Sequence, residues 1–195
     1  HGSLGIKRFD PEHYNTNESW PVAAERTGKL TTKCITNSKF EEDVFHETFW
    51  PDTPMLRLGH ARNDVFFDSY KKTRERWRQE FITDYALDED SKFILYAPTF
   101  RDTHNFAVYD IQADRLVNTM SRRFGGKWKL LVRYHDNDKK NEVVNNRVIS
   151  ENVIDVTRFP DIQMLLSFVD AGITDYSSWI YDYINSRRPA FIYAR

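Results

Sequence analysis

A chain of 195 residues with 40% hydrophobic content is long enough for one large or two small domains, and its net charge of -1 lacks the basic excess of a dedicated nucleic-acid binder. The single cysteine, Cys34, excludes an internal disulfide and fits a reducing compartment; its apolar neighbours mark it as a buried strand residue rather than a nucleophile. No apolar run reaches the roughly 20 residues of a membrane span, and no signal-peptide pattern opens the chain. A start without Met and a stop just after Ala190-Phe191-Ile192-Tyr193 read as a piece of a longer protein.

Residues 1–28 are polar and irregular, broken by Gly2, Gly5, Pro11 and Pro21. Lys33 to Asn37 reads as a short strand. Ser38 follows as a helix cap with Glu41 as its capping-box partner, and the helix runs through Phe40, Val44, Phe45 and Phe49 to Trp50-Pro51. Met55 to Gly59 is a second strand, with His60 to Asp64 as the loop beyond it. Lys71 to Ala86 is a charged amphipathic helix with Trp77, Phe81 and Tyr85 at successive turns. The acidic stretch Asp88-Glu89-Asp90-Ser91 marks a domain boundary. It divides the chain into 1–90, the tail of one α/β domain with a linking helix, and 91–195, most of a second.

Beyond the boundary, Phe93-Ile94-Leu95-Tyr96-Ala97 is a continuous apolar run, the pattern of a strand buried on both faces of a parallel sheet. A helix over 110–124, a strand over 129–133, a polar loop over 134–146 and a strand over 153–156 follow. The series closes with helix 161–169, strand 171–174, helix 177–186 and strand 190–193. Strands alternating with helices predict an α/β, doubly wound, Rossmann-like parallel sheet.

The polar clusters fall at the carboxyl ends of these strands: His60/Arg62, Thr99/Arg101, Arg133/His135 and Asp175/Ser177/Ser178. Carboxyl ends in one parallel sheet converge on one crevice, and arginines with a helix start suit phosphate oxygens. In Gly172-Ile173-Thr174-Asp175-Tyr176-Ser177-Ser178 two readings stand side by side, a simple helix cap and a phosphate-binding turn. Other chemistries lack their spacing. There is no Walker A, no G-x-G-x-x-G, no H-E-x-x-H and no G-x-S-x-G elbow. Asp136-Asn137-Asp138, beside Lys139 and Lys140, reads as a solvated turn rather than a metal site.

At this point the motifs resemble a known family. Phe159-Pro160-Asp161-Ile162, then Asp170 to Ser178, Asp182 and Arg188-Pro189 are similar to the C-terminal signature of the CDP-glycerol glycerophosphotransferases, the teichoic acid and capsule polymerases and primases. Ile94 to Arg101, Gly59 to Asp64, Val132 to His135 and the opening His1-Gly2-Ser3-x-x-x-Lys7 resemble further family motifs in the family's order. Ala61 and Ser3 depart from the usual Pro and Thr. The resemblance implies a GT-B-like architecture and a transferase that moves a polyol phosphate, glycerol 3-phosphate first among them, from a CDP-polyol to a polymer hydroxyl, with CMP released. It implies His1 and His135 as catalytic residues. Arg62, Thr99, Arg101, Arg133, Thr174, Asp175, Ser177 and Ser178 would bind donor and phosphate. No cofactor is required and no metal ligand set is singled out, metal dependence staying open; the partners would be the CDP-polyol, a polymer or lipid-linked acceptor and, through parts outside this chain, the inner face of the bacterial cell membrane, with the enzyme peripheral and cytoplasmic. A GT-B glycosyltransferase using a nucleotide sugar and a non-catalytic nucleotide-binding module are the alternatives.

Overall fold

The computed structural model describes residues 26–48, 50–99, 111–134 and 150–193. They belong to two compact units, His1–Asp64 and Val65–Arg195.

In the first unit, β1 (Cys34–Thr36) and β2 (Met55–Arg57) pair in parallel, and α1 (Lys39–Thr48) connects them. Glu41 N donates to Ser38 Oγ at 3.2 Å, as the capping reading requires. The Glu41 carboxylate, however, reaches back past Ser38 to accept from Asn37 N at 2.7 Å. The strand expected over 55–59 stops at Arg57 because Gly59, at φ 79, turns the backbone into the left-handed region. Cys34 is half-buried rather than buried. Burial, then the neighbouring Glu41, raises its thiol pKa, so it stays protonated and is a poor nucleophile.

The second unit carries α2 (Lys71–Asp84), β3 (Ser91–Tyr96), α3 (Ala113–Phe124), β4 (Lys127–Val132), β5 (Val153–Asp155), α4 (Ile162–Phe168), β6 (Ala171–Thr174), α5 (Trp179–Tyr183) and β7 (Ala190–Ile192). Its sheet has five parallel strands in the order β5-β4-β3-β6-β7. Side chains of β3 alternate between two cores. Phe93, Leu95 and Ala97 join Phe81 of α2, Leu165 and Phe168 of α4, and Trp179 and Tyr183 of α5. On the opposite face Ile94 and Tyr96 pack with Val117 of α3, Trp128, Leu130 and Ile173. Helices on both faces explain why β3 reads as an unbroken apolar run. The helix grouped with residues 1–90 by its position, α2, packs in this second unit: Phe81 stacks edge-on against Phe93 and Phe159. Arg78 ties α2 to β3 through Ser91 O and to the end of α4 through Phe168 O.

Candidate functional site

The winding of the sheet places the site. From β3 the chain steps outward to β4 and β5, then returns to the other side of β3 for β6 and β7. Loops leaving β3 and β6 therefore diverge, and a crevice opens at their carboxyl ends. The residues flanking it are Ala97-Pro98-Thr99 after β3 and Asp175-Tyr176-Ser177-Ser178 after β6.

Side chains lock these two loops together. Thr99 N donates to Asp175 Oδ1 at 2.8 Å, and Tyr176 N donates to the same oxygen. The Ala97 carbonyl accepts from Thr174 Oγ1 at 2.9 Å and from Trp179 Nε1 at 2.8 Å, which fills both of its lone pairs. Thr174 has no exposed surface and Asp175 is 6% exposed, so both brace the crevice from beneath. Ser177 and Ser178 are half-exposed above them. The Thr99 hydroxyl oxygen is shielded from solvent and has no hydrogen-bond partner among the described residues. A buried hydroxyl in that condition is one that a ligand can satisfy.

The side-chain cap anticipated at the start of the following helix does not form. Ser178 occupies the N-cap position without a side-chain cap bond, and α5 has only five residues before a 3-10 turn over Ile184–Ser186. So short a helix adds little dipole. The fixed geometry of this turn rests on the Asp175 carboxylate instead.

The ends of β4 and β5 form an adjoining braced pair. Arg133 N donates to Tyr96 O at 2.9 Å, and Arg133 Nη1 donates to the carbonyls of Val156 and Phe159. Thr157 N is bound by Asp155 Oδ1 at 2.7 Å, and Thr157 Oγ1 accepts from Tyr134 N at 3.1 Å. Thr157, Ala97 and Trp179 are site-forming residues that the sequence reading passed over. Only Thr157 left a local trace there, the Asp-x-Thr spacing of an Asx turn.

Of the residues singled out in sequence, Thr99, Arg133, Thr174, Asp175, Ser177 and Ser178 sit at the carboxyl ends of this one sheet. Arg62 belongs to the first unit, in the 3-10 turn Ala61–Phe66 beyond β2. In that unit the buried Glu41 carboxylate pairs with His60 Nε2 at 3.2 Å. His1, Arg101 and His135 lie outside the described residues. Among the described residues no group of three or more His, Cys, Asp or Glu side chains converges to hold a metal ion.

Comparison with known proteins matches this geometry to one group of enzymes. The family described as CDP-Glycerol:Poly(glycerophosphate) glycerophosphotransferase matches residues 1–195. A teichoic acid poly(glycerol phosphate) polymerase of Staphylococcus epidermidis is 28% identical over 82% of this chain and 22% of its own length. A teichoic acid poly(ribitol-phosphate) polymerase of Bacillus spizizenii is 30% identical over 89% of this chain and 28% of its own. The solved structure of the wall teichoic acid polymerase TagF superposes with a TM-score of 0.72 at 26% identity, covering 99% of this chain and 46% of that one. That likeness bears out the α/β, GT-B-like expectation. The chain thus spans between a fifth and a half of the length of these relatives. With a match from first residue to last and the braced strand-end crevice in place, the chain belongs to the CDP-glycerol:poly(glycerophosphate) glycerophosphotransferase family.

Proposed function

We propose that this chain is the donor-binding part of a transferase that moves a polyol phosphate from a CDP-polyol to a hydroxyl of a growing polyol-phosphate polymer. The observation that carries the reading is the crevice between β3 and β6, where Asp175 fixes Thr99 and the shielded Thr99 hydroxyl faces no partner among the described residues. Family membership supplies the donor class: relatives are polymerases of glycerol phosphate and of ribitol phosphate, and one TagF structure is of a variant soaked with CDPG.

In the proposed reaction the acceptor hydroxyl oxygen attacks the phosphorus that bears the polyol. A new P–O bond forms, the bond to the bridging oxygen of the pyrophosphate breaks, and CMP leaves with the electron pair. Thr99, Ser177 and Ser178 would donate to pyrophosphate or ribose oxygens, with Thr174 and Asp175 holding their loops in place. Arg101 and Arg62 would add charge to the phosphates. Arg133 would act chiefly by anchoring the loop after β5, since its Nη1 is committed to two carbonyls. His1 would take the hydroxyl proton and His135 would contact the transferred phosphate, roles that an imidazole can fill near neutral pH. The same reading places the enzyme in the cytoplasm, held on the inner membrane face by parts outside this chain; among the described residues no helix is long and apolar enough to cross a membrane.

The test is CMP release from CDP-glycerol by the full chain carrying His1→Ala or His135→Ala. Each variant is expected to lose about a hundredfold or more in rate. Near-normal turnover in both would sink the assignment. Preferential binding of UDP-sugars over CDP-glycerol would assign the crevice to a glycosyltransferase instead, and CDP affinity without CMP release would leave only a binding module.

A further inference from the structure

A second polar cavity lies at the opposite end of the same sheet. Its volume is about 350 Å³, and Lys71, Arg74, Arg78 and Arg188 line it against only two carboxylates, Glu75 and Asp170. Asp170 immediately precedes β6, whereas Asp175 follows it. At the rise of an extended strand that separation is about 16 Å, so the cavity is distinct from the donor crevice.

Part of this basic cluster has a structural task. Arg188 Nη1 donates to Ser167 O at 2.9 Å and Val169 O at 2.8 Å, and Arg78 donates to Phe168 O. Together they satisfy carbonyls at the negative end of α4, where cations belong. That task occupies Nη1 of Arg78 and of Arg188 and leaves the other guanidinium nitrogen Nη2 of Arg188 outside it. Lys71 and Arg74 extend from the opening of α2, the positive end of a helix of 14 residues. The first turn of α2 contains no acidic residue, and its N-cap residue Tyr70 makes no side-chain cap bond. Arg74 Nη1 binds Val65 O and Phe67 O. The Lys71 backbone N–H donates to Asp68 O, while its side chain has no hydrogen bond or ion pair among the described residues. Burial holds the Arg188 pKa below its ordinary value, and Arg74 and Arg78 press it in the same direction. Lys71 and Arg74 in the first turn of α2 meet the positive end of that helix and the neighbouring cations of the cavity, a conflict that a bound anion resolves.

We propose that this cavity is an accessory site for a phosphate group of the polyol-phosphate chain, gripped by Lys71, Arg74 and Arg188. The identity of the anion rests on the transferase reading above, because a polyol-phosphate polymer is the polyanion that such an enzyme handles. A phosphodiester offers two free oxygens, which match the forked donors of an arginine and the point charge of a lysine. Held there, a segment of polymer would stay with the enzyme without occupying the donor crevice.

The experiment is a calorimetric titration of the full chain with a short synthetic glycerol-phosphate oligomer, with inorganic phosphate as a parallel arm. Three proteins are compared: the unaltered chain, Lys71→Glu, and Lys72→Glu, which makes the same charge change at a neighbouring position outside the cavity. Saturable oligomer binding, weakened about tenfold or more by Lys71→Glu and within about twofold of normal in Lys72→Glu, is the expected result. Equal weakening by both variants, unaltered binding in Lys71→Glu, or binding of inorganic phosphate alone would overturn the proposal. The melting midpoint of Lys71→Glu confirms that its fold is intact. CDP-glycerol is titrated separately into the unaltered chain, so a failed donor reading shows as missing nucleotide binding and not as a change in oligomer affinity.

Discussion

Replacing Gly172 with alanine would place a methyl group where two aromatic rings already sit. A Cβ at this position meets Trp179 Cη2 at 2.9 Å and Tyr183 Cδ1 and Cε1 at 3.0 Å. Ordinary carbon contacts begin at about 3.5 Å, so each ring must retreat by roughly half an ångström. Neither has room to do so freely. Trp179 is 7% exposed and holds Ala97 O through Nε1 at 2.8 Å; Tyr183 is fully buried and donates its hydroxyl to Val169 O at 3.1 Å. Overpacking of this kind costs about 1–3 kcal/mol. The lost freedom of the unfolded chain returns about 0.4–1 kcal/mol. A net destabilisation of about 1–2 kcal/mol follows from these terms. Urea unfolding followed by fluorescence should report it as a lower midpoint with an unchanged slope. The displacement also pulls on the Ala97 carbonyl, so affinity for CDP-glycerol should fall several-fold with it. Adding Trp179→Phe shortens the clashing ring; the two substitutions should therefore be less damaging together than their separate effects imply. A Gly172→Ala protein as stable as the original would refute the packing argument.

Other perturbations test separate parts of the account. Asp175→Ala removes the acceptor of Thr99 N and Tyr176 N and should cost about 1–3 kcal/mol while weakening donor binding; Asp175→Asn, which keeps an oxygen, should recover part of both in the same unfolding and titration measurements. Burial, with Asp170 adding to it and Arg188 opposing it, raises the Tyr183 pKa well above its usual value. The fold therefore favours the neutral phenol, and the stability this supplies is fully present below about pH 10 and lost as pH rises further. Tyr183→Phe should cost about 1 kcal/mol near neutrality, and its stability should decline less between about pH 9 and pH 11 than that of the unaltered chain. In the first unit, His60→Ala leaves the buried Glu41 carboxylate without its imidazole partner at 3.2 Å. A loss of about 1–3 kcal/mol in that unit is expected, read by hydrogen exchange at Asn37, whose N–H binds the same carboxylate.

Much of the second unit was legible in its sequence because buried parallel strands announce themselves. Strand β6 forms over the predicted Ala171–Thr174, and β3 covers the apolar run 93–97 except for Ala97, starting two residues earlier at Ser91. The errors fall where local pattern and tertiary context part. Leu58 extended the β2 prediction as an apolar residue, yet it is 74% exposed and outside the strand. The helix expected over 177–186 shrinks to Trp179–Tyr183 with a 3-10 turn after it, and Arg187 at φ 58 closes it. What makes the site could not be read locally. The bond from Thr99 N to Asp175 spans 76 positions and that from Trp179 to Ala97 spans 82. Local rules left Asp175, Ser177 or Ser178 as a helix cap beside the phosphate-binding reading; the sheet instead uses Asp175 to tie two loops across the switch in winding. Thr174 shows the same limit, since its spacing fits a ligand contact while its hydroxyl belongs to Ala97 O.

The central claim is that the β3–β6 crevice holds the phosphates of a CDP-polyol. Calorimetric titration of CDP-glycerol into the full chain, unaltered and with Ser177→Glu, tests it most directly. A carboxylate introduced in the loop after β6, two residues beyond Asp175, should repel the pyrophosphate and weaken binding about tenfold or more, with UDP-glucose binding neither protein. Equal CDP-glycerol affinity in the two proteins, or tighter binding of UDP-glucose, would contradict it.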